Sequence, residues 1–175
     1  MAVTTLDRST ALVLIDLQRG IAAAPTVPLS GPEVIGNAVR LADAFRAQGA
    51  PVVLVRVSFA ADFADVARGR NEFDFGGGAR PEGWDLIVDE LAGHPEDIRV
   101  TKRNWGAFYG TDLDLHLRRR GITQIVLGGI ATSIGWSPPP VTPTSAATTS
   151  PSPPTSWPTS ASRRTTTAWS GSSRG

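Results

Sequence analysis

Asp16 and Lys102 are an acid and an amine that each close a short β-rich run, ALVLI before Asp16 and DIRVT before Lys102. If the two meet in a partly dry cleft, proton affinity there is set by desolvation against charge attraction. That balance suits general acid–base work on a small molecule. The ammonium could also hold a developing negative charge or orient the acid. A third segment, Ala131-Thr132-Ser133-Ile134-Gly135, follows another apolar run. If a helix starts there, backbone N–H groups from Thr132 to Gly135 could bind an oxyanion. Plain readings stand beside these. A strand-end aspartate is commonly a turn or cap residue, and a lone lysine is commonly a solvated surface group. His94 precedes a proline and His116 sits among Leu113, Leu115 and Leu117, so both read as structural or exposed. Cysteine is absent, which removes disulfides, thiolate zinc sites and a cysteine nucleophile together.

The elements that must position these residues alternate between strand and helix. Residues 11–15 form a continuous apolar run suited to a strand buried on both faces. Ser30-Gly31-Pro32-Glu33 is a helix start, with Ile35, Val39, Ala42 and Phe45 following at helical spacing. Gly49 supplies the stop, and residues 51–57 (PVVLVRV) are a second buried strand. Residues 58–83 read as a long loop, a length that is unusual unless it is functional. Residues 84–91 suggest a short helix or turn, and residues 97–101 a short strand. Thr111-Asp112-Leu113-Asp114 resembles a capping box for a helix running to Arg120, with Gly121 after it. Residues 122–127 are a further strand, and Gly128-Gly129-Ile130 lead into a turn. The pattern predicts a three-layer α/β/α domain with a mostly parallel, Rossmann-like sheet. Ligands of such sheets bind beyond the carboxyl ends of the strands. Asp16, Lys102 and Ala131-Thr132-Ser133 all fall there.

Three segments, ALVLIDLQRG, TKRNWGAFYGTDL and QIVLGGIATSIG, together resemble the isochorismatase-like hydrolases. That superfamily includes nicotinamidases and N-carbamoylsarcosine amidases. The resemblance implies that Asp16 is the catalytic aspartate and Lys102 the catalytic lysine. It places Gly135 where the amidase branches carry a nucleophilic cysteine. The isochorismatase branch also has glycine there and cleaves a vinyl ether by protonation and water attack. The resemblance further implies a cis peptide between Ala131 and Thr132, which is costly for a non-proline residue. Gln18, Ala131, Thr132 and Ser133 are expected around the substrate or oxyanion. Phe63, Trp105 and Phe108 are expected as pocket walls from their loop positions. Metal-dependent nicotinamidases carry histidines after the second strand. Residues 58–83 have none, so neither a metal nor another cofactor is expected. The expected partner is a small-molecule substrate, and the resemblance implies a homo-oligomer if the domain is intact.

Two other readings compete. Ala131-Thr132-Ser133-Ile134-Gly135 is close to a G-x-S-x-G elbow, which would make Ser133 a nucleophile. That chemistry needs a later histidine, and none follows His116. Alternatively, glycine at position 135 fits a small-molecule binder without catalysis, or an inactive pseudogene product.

Composition divides the chain. Residues 1–135 read as the hydrolase domain, partial at its C-terminal end. Residues 136–175 are almost wholly Ser, Thr, Pro, Ala, Arg, Gly and Trp, with Val141 as the sole branched aliphatic residue. Arg163, Arg164 and Arg174 lie in this tail and every acid lies before it. The sequence pI of 8.4 therefore owes much to the tail and is weak evidence for nucleic-acid binding. No apolar run approaches the roughly 18 residues of a membrane span. MAVTTLDRST lacks the basic and apolar regions of a signal peptide, so a cytoplasmic location is expected. The tail reads as GC-rich coding sequence translated one base out of frame. Trp has a single codon, which anchors a reconstruction at Trp136, Trp157 and Trp169. One base restored after the Gly135 codon permits a reading with a helix, a strand (HVTLATDV) and a second helix, which resembles the family's ending. The tail as written has too little apolar surface to offset its ordering entropy. It is expected to be disordered and unpacked, and the product poorly folded with little activity.

Overall fold

The computed structural model describes residues 7–66 and 80–130, together with the backbone of residues 165–167. Five strands, β1 (Thr10–Ile15), β2 (Val52–Val57), β3 (Ile98–Lys102), β4 (Gln124–Gly129) and β5 (Thr165–Thr167), form one sheet in the order β3-β2-β1-β4-β5. Every neighbouring pair is parallel. The helices are α1 (Arg19–Ala22), α2 (Gly31–Ala47), α3 (Asp89–Ala92) and α4 (Leu113–Arg119).

The apolar runs are continuous because both sheet faces are covered. Leu12, Leu14 and Leu54 pack against Ala38, Ala42 and Phe45 of α2. Ala11, Val13, Ile15, Val53 and Val55 pack on the other face with Leu113 and Leu117 of α4. The result is the expected three-layer arrangement. Phe45 is buried, and burial of a side chain that size stabilises the fold by about 2–3 kcal/mol.

α2 begins as its sequence suggests. The Glu33 carboxylate accepts hydrogen bonds from the Ser30 N–H at 2.8 Å and the Ser30 hydroxyl at 2.6 Å. Its other end is tied to the start of β3. Arg46 donates through Nη2 and Nε to the two oxygens of Asp97, at 2.5 Å and 3.3 Å, and the Asp97 carboxyl is buried.

Several local expectations need correction. Thr111 and Asp114 do not form a capping box. The N-cap of α4 is Asp112, with φ −89° and no side-chain cap bond. The Thr111 hydroxyl donates to the Ala107 carbonyl at 2.6 Å and also accepts a long bond from the Leu113 N–H at 3.4 Å. β4 starts at Gln124 and continues through Gly128 and Gly129, which were expected to turn. The unforeseen α1 is one turn long, too short to leave a periodic signature. Residues 84–91 hold turns and then the start of the short helix α3, as expected, and add an isolated antiparallel bridge between Gln18 and Ile87. The tail was expected to be disordered and unpacked, yet the backbone of Thr165–Thr167 pairs in parallel with Ile125, Val126 and Leu127. A bare strand edge offers unpaired N–H and C=O groups to any extended segment of the same chain.

Candidate functional site

β1 and β3 are not neighbours, since β2 lies between them. The parallel register still brings their carboxyl ends level, pairing Ile15 with Val55 and Val57 with Lys102. The Lys102 side chain reaches across the end of β2, and its Nζ donates to Asp16 Oδ2 at 2.7 Å. A second hydrogen bond runs from Nζ to the Trp105 carbonyl at 3.0 Å. Both charged residues are buried, Lys102 at 3% and Asp16 at 9% exposure. Asp16 Oδ1 is also buried, with no hydrogen-bond partner among the described residues.

The local backbone explains the placement of Asp16. Its N–H stays in the sheet, donating to the Val55 carbonyl at 2.8 Å. Its φ of 58° then turns the chain out of the strand. Aspartate tolerates this left-handed conformation better than most residues, and such positions concentrate where function requires them. Burial pushes the Asp16 carboxyl above its ordinary value of 3.8. The attraction of Lys102 and its hydrogen bond pull the other way without reversing the shift. The pair is therefore an acid with raised proton affinity held against a buried cation.

Gln18 was expected to face the substrate, and the structure places it elsewhere. It is 0% exposed. Its Oε1 accepts from the Val57 N–H at 2.8 Å, and its Nε2 donates to the Val57 carbonyl at 3.1 Å. A longer bond reaches the Trp84 carbonyl at 3.4 Å. This amide completes the end of β2 as a further strand would, and so holds the segment after Asp16 to the sheet. Phe108 is half-buried and packs against the core cluster that includes Leu113 and Leu117 of α4. Trp105 contributes its carbonyl to Lys102, and its side chain is half-buried.

Phe63 belongs to an aromatic group beyond the end of β2. Its ring lies 6.3 Å from that of Phe59, which in turn stacks on Trp84 at 6.3 Å and 20°. The Arg80 guanidinium sits 4.2 Å over the Trp84 ring and 5.9 Å from that of Phe63, a cation–π arrangement. Arg103, next to Lys102, bonds Asp65 at 2.5 Å and so anchors this loop beside the pair. No sequence pattern marks Phe59, Arg80 and Trp84 as a group, because contacts between separate loop segments have no periodicity.

Ala131, Thr132, Ser133 and Gly135, with the cis peptide expected after Ala131, lie outside the described residues. Their approach is visible. Gly129 pairs with Ile15, and the Ile130 N–H donates to the Ile15 carbonyl at 3.1 Å. The chain thus reaches Ala131 from a point beside Asp16. Among the described residues, no three His, Asp or Glu side chains group as metal ligands, and no helix is long and apolar enough to cross a membrane.

Residues 10–137 match the isochorismatase domain. The chain is 48% identical over 128 residues to the isochorismatase family protein YecD of Escherichia coli O157:H7, covering 73% of this chain and 68% of that protein. It is 31% identical over 157 residues to the ureidoacrylate amidohydrolase RutB of Rhizobium rhizogenes, covering 75% of this chain and 63% of that protein. Among solved structures, an isochorismatase family protein from Burkholderia thailandensis superimposes with a TM-score of 0.71 at 46% identity, covering 77% of this chain and 70% of that one.

Proposed function

This chain belongs to the isochorismatase family, and from that premise we propose that its intact domain hydrolyses a small molecule by acid–base chemistry, with Asp16 carrying the proton and Lys102 as its charged partner. The observation that carries this reading is the buried Asp16 carboxyl, held by Lys102 through Oδ2 while Oδ1 keeps no partner among the described residues. A raised proton affinity lets this group hold a proton at a pH where an ordinary carboxylate has lost it. With a vinyl ether, the Asp16 proton would add to the terminal vinyl carbon and leave an oxocarbenium ion. Water would add to the cationic carbon and return a proton to Asp16. The hemiketal would then collapse to a carbonyl product and an alcohol. Lys102 would keep the recovered carboxylate in place between the steps. No covalent intermediate is needed, in keeping with the lack of cysteine and with Gly135 at the nucleophile position.

One observation favours a second reading, a small-molecule binder without turnover. RutB is named an amidohydrolase, and this chain has glycine where the resemblance puts the amidase cysteine. Loss of amide chemistry would leave the same pocket. We propose further that residues 136–175 are an out-of-frame tail and that the active domain is the one with a base restored after the Gly135 codon.

The test assays both forms, the chain as written and the frame-restored domain, against isochorismate and a panel of ureido acids and amides. Vinyl-ether turnover by the restored domain, abolished in Asp16→Ala, is the expected result. Turnover that survives Asp16→Ala removes the assigned role. Tight binding without turnover selects the second reading.

A further inference from the structure

The face of the sheet opposite Lys102 carries a second feature. Strand alternation sends Leu54 and Arg56 of β2, with their register partners Arg99 and Thr101 of β3, to one side. Lys102 leaves on the other side, with Ile98 and Val100. α3 is a single turn, and it leaves a cavity of about 420 Å³ lined by Arg56, Arg99, Arg19, Thr101, Leu86 and Asp89, among others.

Three guanidinium groups converge there, and their present partners are weak or replaceable. Arg99 donates only to the Ala92 carbonyl, at 2.7 Å, and no carboxylate pairs with it among the described residues. Arg56 makes three long bonds, to Thr101 Oγ1 at 3.3 Å, to the Asp85 carbonyl at 3.3 Å and to Asp85 Oδ2 at 3.2 Å. Asp85 is shared, because it also accepts from the Ser58 hydroxyl at 2.6 Å. Arg19 meets Asp89 at 2.7 Å, in a pair whose two side chains are 49% and 78% exposed. Such surface pairs contribute little and exchange readily. Three cations thus face two carboxylates, one of them on the rim.

We propose that this cavity binds a small polyanion, a dicarboxylate or a phosphate monoester, through Arg56 and Arg99 with Arg19 closing over it. Guanidinium forks match the paired oxygens of carboxylate and phosphate. Arg56 and Arg99 stand on adjacent strands, so their spacing is set by the sheet rather than by a loop. The volume lies within the range of small-ligand sites. The cavity is on the β2–β3 side, away from β4 and the segments after it. It therefore does not depend on the tail, nor on the activity proposed above.

The full 175-residue chain can be titrated calorimetrically with inorganic phosphate and, separately, with succinate, using acetate as the monoanion control at constant ionic strength. One saturable site for phosphate or succinate is expected. Its affinity should fall at least ten-fold in Arg99→Gln and in Arg56→Gln, and stay unchanged in Lys102→Met. Binding of phosphate alone assigns the phosphate ester, and binding of succinate alone assigns the dicarboxylate. Arg99 is exposed, so Arg99→Gln tests the site even if Arg56→Gln unfolds. No saturable binding, equal binding of acetate, or binding that survives Arg99→Gln overturns the proposal.

Discussion

Lys102 and Asp16 are 86 residues apart in sequence and 2.7 Å apart in space, joined across the end of an intervening strand. Neither is well solvated, so each depends on the other. Asp16→Asn leaves the Lys102 ammonium buried with the Trp105 carbonyl as its remaining partner. Removing one member of a buried pair costs about 3–5 kcal/mol. Urea unfolding of Asp16→Asn should show a loss near the lower end of that range. Lys102→Met should cost less, because the stranded carboxyl can take up a proton. Unchanged midpoints in both variants would show that the pair adds nothing to stability.

The raised proton affinity of Asp16 has a pH signature. Between its ordinary value of 3.8 and its value in the folded protein, the native state keeps a proton that the unfolded chain has lost. This contribution to stability is full below 3.8 and disappears as pH rises through the folded value. Asp16→Asn should lack that slope. Lys102→Met removes both influences that lower the Asp16 value, so the slope should extend to higher pH. Midpoints collected from pH 3 to about 8 decide it, and a slope unaltered by Asp16→Asn would assign the effect to other groups.

Gln18 should matter to stability more than its type suggests. Gln18→Leu keeps the approximate size but leaves the Val57 N–H and carbonyl without their side-chain partner. Orphaning buried groups of this kind costs about 1–3 kcal/mol. The local signature is faster hydrogen exchange at the Val57 amide. An unchanged exchange rate there would mean that the clamp does not hold β2.

Gly129 has φ 127°, and a Cβ on it would lie 2.0 Å from the Ile15 carbonyl oxygen. That contact is backbone, so relief requires β1 and β4 to part beside Asp16. Gly129→Ala should cost about 4 kcal/mol or more, or abolish cooperative unfolding. Gly36, inside α2, is the control, since a Cβ there meets nothing within 4 Å. Gly36→Ala should stabilise the helix by about 0.5–1 kcal/mol. Similar effects for both would contradict the tight approach at Gly129.

Much of this fold is legible along the chain because burial on both faces makes parallel strands continuous apolar runs. ALVLI and PVVLVRV announce β1 and β2, and the Ser30-Gly31-Pro32-Glu33 start announces α2. Asp16 and Lys102 are visible as polar residues that interrupt those patterns at strand ends. Elements of one turn, such as α1, are too short for a period to show. The cap of α4 misleads because the helix starts one residue later than the Thr111 pattern suggests, with Asp112 at its N-cap.

By itself the sequence determined the order of strands and helices, the layers and the two residue types at the strand ends, because hydrophobic periodicity is a local property. Tertiary structure alone decided which strands are neighbours, and so whether Lys102 reaches Asp16. It also turned Gln18 inward to Val57, packed Phe108 on the core, and gathered Arg19, Arg56 and Arg99 around one cavity. These outcomes depend on register and on distances between residues far apart in the chain, which no local pattern records.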